Sequence, residues 1–314
     1  MNQNFSSSNV IDTHCDVLLK LWMNPNQSFK DSNQLDVTLT KLKNGGVKLQ
    51  CFAIFIEPFV KQELKFQAVL EQIHLFHQKV IEPYQEMKHI TKWSDISLLK
   101  EGEIGAILTL EGMDAVGSDE WKHHFLIEQG ILSVGLTWNQ ANLVADGIEE
   151  SRGAGITDFG KRIIETHNKH SLLTDVSHLS EKSFWDTVQY SKYVIASHSN
   201  ALALCGHKRN LNDEQAKALF SDERYMGLVF LPKFLSDTEE ATMDDVIRHI
   251  EYLCALGGEK SIGFGSDFDG ISSYVDGLEH PGCYPALLER LTKYYSDAQI
   301  KRFCSENFLR SLPN

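Results

Sequence analysis

No Cys-x-x-Cys pair occurs in this 314-residue chain, and its six cysteines, at positions 15, 51, 205, 254, 283 and 304, are scattered. That spacing excludes a dense disulfide framework and counts against a structural zinc on thiolates. It predicts reduced thiols in a cytoplasmic protein. Long hydrophobic runs are missing as well. The longest strongly apolar stretch, residues 51–56, is far too short to span a bilayer. The first nine residues carry neither a basic segment nor an apolar one, so no secretory leader is read there. Basic charge is scarce: 30 Lys and Arg stand against 43 Asp and Glu, a formal net charge of −13. This argues against nucleic acid or an anionic membrane surface as a partner. No Gly-x-Gly-x-x-Gly opens a first helix, which disfavours a doubly wound open sheet, the second-ranked architecture. No Pro-, Gly- or Ser-rich linker divides the chain, and one domain over residues 1–314 is expected.

What the chain does have is rhythm. Short apolar, β-rich runs recur at residues 9–13, 47–56, 104–110, 131–137, 171–176, 193–197, 226–231 and 261–265. They are too continuously apolar for half-exposed antiparallel strands and suit strands buried on both faces. Between them lie helical patterns, for example 61–87 (with Leu64, Ala68, Ile73, Phe76 and Val80 on one face), 158–169 and 242–256. Eight strand–helix units at roughly 39 residues each exceed the roughly 31 of a typical barrel, leaving room for loop insertions. The expected fold is α/β, a single (β/α)8 TIM barrel.

In such a barrel, chemistry gathers at the C-terminal ends of the strands. The first run, Val10-Ile11-Asp12, leads into His14 and Asp16, which alternation places on one side with Cys15 facing away. The later runs lead in turn to Glu111, His178, His198 and Asp267. Asp175 and Asp269, beside them, are expected to bind turn amides. Three imidazoles and two carboxylates are too many for one catalytic zinc, which takes three protein ligands. They suit two metal ions sharing a carboxylate and a water or hydroxide that is nucleophilic near neutral pH. The donor set favours zinc, with Mn, Co or Fe as other possibilities.

These residues resemble the membrane (renal) dipeptidases, peptidase family M19, a metallopeptidase branch of the amidohydrolase superfamily. The resemblance covers nearly the whole chain. It is carried by Ile11-Asp12-Thr13-His14-Cys15-Asp16, Leu110-Glu111-Gly112, Asp175-Val176-Ser177-His178, Ser197-His198-Ser199-Asn200-Ala201, Lys208-Arg209-Asn210-Leu211 and Gly265-Ser266-Asp267-Phe268-Asp269-Gly270. His-x-Asp replaces the His-x-His usual in other amidohydrolases. The resemblance implies that His14 and Asp16 bind a first zinc, Glu111 bridges, and His178 and His198 bind the second. Asp267 would be the acid/base, taking a proton from the bridging water and returning it to the leaving amine. Arg209 would fork onto the carboxylate of a dipeptide substrate. Tolerance of a D-residue at the C-terminal position and a homodimer are further implications.

One motif departs. Better-known members carry Leu-Thr-His after the fourth strand, with the His on the substrate carbonyl, whereas this chain reads Leu136-Thr137-Trp138-Asn139. Trp138 cannot ligate metal but can donate one indole N–H. Trp138 and Asn139 are therefore expected at the substrate, with Asn142 as a further donor candidate. The departure keeps open another dinuclear-metal amidohydrolase acting on a lactam, cyclic amide or N-acyl amino acid. A non-catalytic relative is disfavoured by the intact Asp267. The pairs His123/His124, His74/His77 and His167/His170 are expected on helix surfaces or interfaces, and His280 in a loop bordering the pocket.

Overall fold

The computed structural model describes residues 9–313; the expectation about the leader segment lies almost wholly outside them. Nine parallel strands are present among the described residues: β1 Val10–Asp12, β2 Val47–Phe55, β3 Met87–His89, β4 Ile104–Glu111, β5 Ile131–Gly135, β6 Leu173–Asp175, β7 Val194–Ala196, β8 Tyr225–Leu228 and β9 Ile262–Phe264. Their order is β2-β1-β9-β8-β7-β6-β5-β4, and β2 pairs back onto β4 from Leu49↔Gly105 to Phe55↔Glu111, closing an eight-stranded barrel. The (β/α)8 expectation holds.

β3 is the ninth strand, which the sequence reading did not contain. It pairs only with the base of β4, from Met87↔Ile104 to His89↔Ala106, below the point where β5 takes over the same edge at Leu108. The helix expected over 61–87 therefore ends early. It runs Gln62–Leu75 and continues through a wider π turn, Phe76–Ile81. Pro83 follows and cannot donate a helical hydrogen bond. Leu64, expected on the buried face, is 53% exposed. The other two helices fall where expected, at Asp158–His170 and Met243–Ala255.

The barrel is narrow at the rim. Thr13 Oγ1 lies 2.7 Å from the Ser197 carbonyl and 3.0 Å from that of Phe264. A Cβ at Gly265 would stand 2.9 Å from that hydroxyl and overlap the Ser197 carbonyl, so only glycine lets β9 approach β7 and β1 this closely. β8 is shorter than its apolar run, because Val229, Phe230 and Leu231 leave the sheet while staying buried. Phe230 there packs on Phe264, Phe268 and Tyr284 at ring separations of 5.9–6.1 Å. That aromatic cluster lies directly beneath the loop after β9.

Candidate active site

All six strand-end residues singled out by sequence meet at one rim. The extended course of β1 carries on past its last residue: Asp16 N–H donates to the Phe268 carbonyl (2.9 Å) and Ala53 N–H to that of Cys15 (2.9 Å). His14 and Asp16 thus face one side while Cys15 is fully buried. Asp16 holds the N-cap position of helix Val17–Met23, yet its side chain does not cap that helix. It turns to His14 instead, forgoing roughly 1 kcal/mol of capping. Its Oδ2 is 3.4 Å from His14 Nε2.

Glu111 sits between two groups. Its Oε2 is 3.6 Å from His14 Nε2, while its Oε1 is 2.8 Å from His178 Nε2 and 3.6 Å from His198 Nε2. Asp267 closes the first side, with Oδ1 3.8 Å from His14 Nε2. The His14 and His198 rings lie 3.9 Å apart, tilted by 33°, and His178 and His198 bring their Nε2 atoms to 2.8 Å. Two residues of the rim, His178 (φ 69°) and Asp267 (φ 67°), lie in the left-handed region, as does Asp269 (φ 67°).

The donor set fits cations. His178 Nδ1 lies 2.7 Å from Asn139 Oδ1, an acceptor, so Nδ1 carries the proton and Nε2 presents a bare lone pair. That lone pair faces the Glu111 carboxylate and the His198 ring, an arrangement that is repulsive until a positive charge sits among them. His14 Nε2 and Asp16 Oδ1 are buried without a hydrogen-bond partner among the described residues, the costly state that ligation would relieve. Two sets of donor atoms converge within 4.8 Å: His14, Glu111 and His198, and His14, Asp16 and Asp267. Glu111 belongs to one and His14 to both.

The electrostatics agree. Burial would lower His14, but the carboxylates of Glu111, Asp16 and Asp267 overcome it and push the imidazole up to about 10. Burial, reinforced by the charge of Asp16, raises Asp267 to about 8 and Glu111 well above the carboxylate range. Burial holds His178 and His198 neutral, helped by the charge of Arg209 and of His14. Two neutral imidazoles, and a third whose extra proton is held by crowded carboxylates, form a cluster in which a cation can take that proton's place.

Arg209 comes to the same centre. It is 4% exposed; its Nη2 reaches the His198 carbonyl at 3.4 Å, and its Nε has no partner among the described residues. The guanidinium lies over the Phe234 ring at 5.6 Å. A buried guanidinium with an unengaged donor fits an anion. Trp138 lies beside the same centre, 5.2 Å from Phe55 and 5.9 Å from His178 between ring centroids. Asn142 is withdrawn as an oxyanion donor. Its Nδ2 donates to the Leu136 carbonyl (2.8 Å) and its Oδ1 accepts from Val144 (2.8 Å), so both ends brace its own loop.

Asp175 and Asp269 bind amides as expected, Asp269 those of Asp36 and Val37 at 2.9 and 2.8 Å. Sequence reasoning missed the Asn139–His178 contact and the part played by Ser197 and Ser266. These two serines directly precede His198 and Asp267, a placement that gains meaning only once the aspartate of the neighbouring strand is in place. The outer histidines stay away from the rim: His123 packs on His167 at 5.0 Å and His77 on His89 at 5.3 Å. His280 contacts Cys283 Sγ at 3.7 Å.

Fold and donor set together define a class, the metal-dependent hydrolases built on a (β/α)8 barrel. The family model for membrane dipeptidase (peptidase family M19) matches residues 2–314, and the chain belongs to that family. It is accordingly a metallo-dipeptidase-type hydrolase acting on peptide bonds. A metallopeptidase from Rhodobacter sphaeroides, liganded with a phosphinate mimic of the dipeptide L-Ala-D-Ala, superposes with a TM-score of 0.91 at 25% identity, covering 98% of this chain and 99% of that one. The dipeptidase AC, a metallopeptidase of family M19, does so with a TM-score of 0.90 at 25% identity, covering 98% of each chain. An uncharacterized protein from the pqqA 5' region of Klebsiella pneumoniae is 31% identical over 260 residues, 78% of this chain and 94% of that protein. Among the described residues no helix is long and apolar enough to cross a membrane.

Proposed function

We propose that this chain, read as one hydrolase domain over residues 1–314, is a zinc dipeptidase that accepts L-D as well as L-L dipeptides. The observation that carries the reading is the convergence of the His14, His178 and His198 Nε2 atoms on Glu111. His14 and Asp16 would hold one zinc ion, His178 and His198 the other, and Glu111 both. When bound, the pair supplies Lewis-acid polarisation of the scissile carbonyl and a more acidic water. The chain's own residues supply the rest. Asp267 stands beside His14 and Asp16 and moves a proton from the attacking water to the leaving amine. Arg209 grips the substrate's free carboxylate, which limits substrates to those ending one residue past the scissile bond. Trp138, beside His178, packs against the substrate, and Asn139 offers its amide N–H₂ while its oxygen holds His178.

The phosphinate mimic of L-Ala-D-Ala bound to the Rhodobacter relative supports the acceptance of L-D dipeptides. Six free thiols support a cytoplasmic setting; a homodimer belongs to the same reading and is measured by light scattering. The test is a library of L-L and L-D dipeptides beside cyclic amides and N-acyl amino acids, with and without a chelator. Chelator-sensitive dipeptide hydrolysis is expected. Hydrolysis confined to the cyclic or acylated amides replaces the dipeptide reading. Asp267→Asn is expected to keep its zinc and lose about 10²–10⁴-fold in kcat; near-wild-type turnover removes the acid/base role.

A further inference from the structure

We propose that Asp175–Ser197 and Asp12–Ser266 are two copies of one carboxylate–serine brace, each positioning the functional residue that directly follows the serine, His198 in one case and Asp267 in the other. The inference rests on the reading of His198 as a metal ligand and Asp267 as the acid/base.

The two sets of contacts match group for group. Asp175 is the last residue of β6 and Asp12 the last of β1. Asp175 Oδ1 accepts from Ser177 N–H (2.9 Å), two residues on, and from Ser197 N–H (2.9 Å) after β7; its Oδ2 accepts the Ser197 hydroxyl. Asp12 Oδ1 accepts from His14 N–H (3.2 Å), also two residues on, and from Ser266 N–H (3.0 Å) after β9. Its Oδ2 accepts the Ser266 hydroxyl (2.6 Å) and the Tyr284 phenol (2.9 Å). In both cases the serine follows the strand next to the aspartate's in the barrel. All four residues are buried. An aspartate this enclosed is tolerable only with its oxygens filled by donors, so each pair is a fixed tie between two strand ends.

What the tie does follows from counting protons. The Ser197 hydroxyl donates its one proton to Asp175 Oδ2, whose other oxygen already accepts two N–H groups. Ser197 Oγ lies 2.7 Å from His198 Nδ1 and can only accept there. His198 therefore carries its proton on Nδ1, which leaves Nε2 bare toward Glu111. Ring orientation and tautomer are both set before any ion arrives, the role that partners behind a ligating histidine commonly play. On the other side, the Ser266 hydroxyl proton goes to Asp12 and its oxygen accepts from Phe268 N–H (3.3 Å). Ser266 thus clamps the backbone on both sides of Asp267 and holds its left-handed turn.

The experiment uses the zinc-loaded full chain and reads zinc affinity against a chromophoric chelator alongside kcat and KM. Ser197→Ala is expected to weaken one of the two zinc sites by about 10–100-fold and leave the other unchanged, and Ser197→Thr to restore it. Ser197→Cys, a weaker donor of similar size, is expected to show the same loss and serves if the alanine variant does not fold. Ser266→Ala is expected to keep both zinc affinities and KM, and to lose at least about tenfold in kcat. His198→Ala is the reference and should lose one site. Wild-type affinity at both sites in Ser197→Ala, with one site lost in His198→Ala, overturns the His198 brace alone. Wild-type kcat in Ser266→Ala overturns the Asp267 brace. Retention of both sites in His198→Ala overturns the ligand assignment and the brace with it.

Discussion

Gly270 offers a perturbation that separates function from stability. It lies exposed on the loop after β9, and its N–H closes a turn onto the Asp267 carbonyl at 3.0 Å. Its φ is not in the left-handed region, so an alanine suits the backbone. The space does not. An added Cβ would stand 2.2 Å from Asp16 Oδ2, 2.5 Å from Asp267 Oδ1 and 3.0 Å from Asp16 Cγ, where ordinary contact begins at 3.4 Å. The atoms in the way are the ends of two side chains, which can give by roughly 1 Å without moving the barrel. A displacement of that size in a reacting group costs on the order of 10²-fold in rate, whereas overpacking against two side-chain ends costs about 1–3 kcal/mol of stability. Gly270→Ala should therefore melt within a few degrees of wild type and lose about 10²-fold in kcat/KM on a dipeptide. Zinc content by mass spectrometry should fall toward one ion, because Asp16 is displaced. Wild-type kcat/KM in this variant would falsify the placement of both carboxylates.

Two further outcomes follow from buried groups. Burial pushes His249 down to about 4, and its neutral ring accepts from Ala201 N–H (3.2 Å) and donates to the Leu235 carbonyl (3.1 Å). Its folded pKa lies below the unfolded value of about 6.5, so its contribution is complete above that pH. It is lost as pH falls from about 6.5 toward about 4, by roughly 3 kcal/mol. Urea unfolding of the metal-free protein at pH 7.5 and 4.5 should show the advantage of wild type over His249→Asn shrinking by that amount; a constant difference refutes it. Arg209→Met should reduce the preference for a dipeptide over its C-terminal amide by about 10²-fold in kcat/KM, the worth of a charged hydrogen-bonded pair of ~3 kcal/mol. An unchanged acid-to-amide ratio removes Arg209 from carboxylate recognition.

The barrel is legible because eight runs are apolar on both faces, and only a parallel sheet under helices asks for that. The failures have physical causes. Met87–His89 is three residues long with one fully buried, too short to show a period. Val229–Leu231 is as buried as a strand while forming none, because it feeds the aromatic cluster under the rim. In the helix Gln62–Leu75, Gln72 is buried, donating to the Phe55 carbonyl at 2.7 Å, and Lys65 is nearly so, 3.4 Å from Asp114. Partnered polar residues on an inner face shift the apparent apolar stripe toward Leu64. At the site, the residue types at the strand ends were readable, whereas their backing was not. Ser197 and Ser266 look like any other serine until the neighbouring strand's aspartate is in place, and that adjacency exists only in the closed sheet.

The same distinction bears on Trp138, where the chain departs from the family motif. The loop after β5 holds His178 from two sides: Asn139 takes its Nδ1–H at 2.7 Å, and Ile148 N–H donates to its carbonyl at 2.7 Å. A left-handed residue costs on the order of 1–3 kcal/mol and persists only when its surroundings fix it, and these two bonds do that for His178. Trp138 is not part of that hold. Its ring stands between Phe55 and His178 as a wall, engaged through packing. The departure therefore changes what a substrate meets and leaves the ligands' support intact. Trp138→His should keep both zinc affinities within about twofold, lose about 0.5–1.5 kcal/mol of aromatic packing, and change the ratio of kcat/KM between two dipeptides differing in side chain by at least about tenfold. Loss of a zinc site in this variant would show that the indole, and not Asn139 with Ile148, keeps His178 in place.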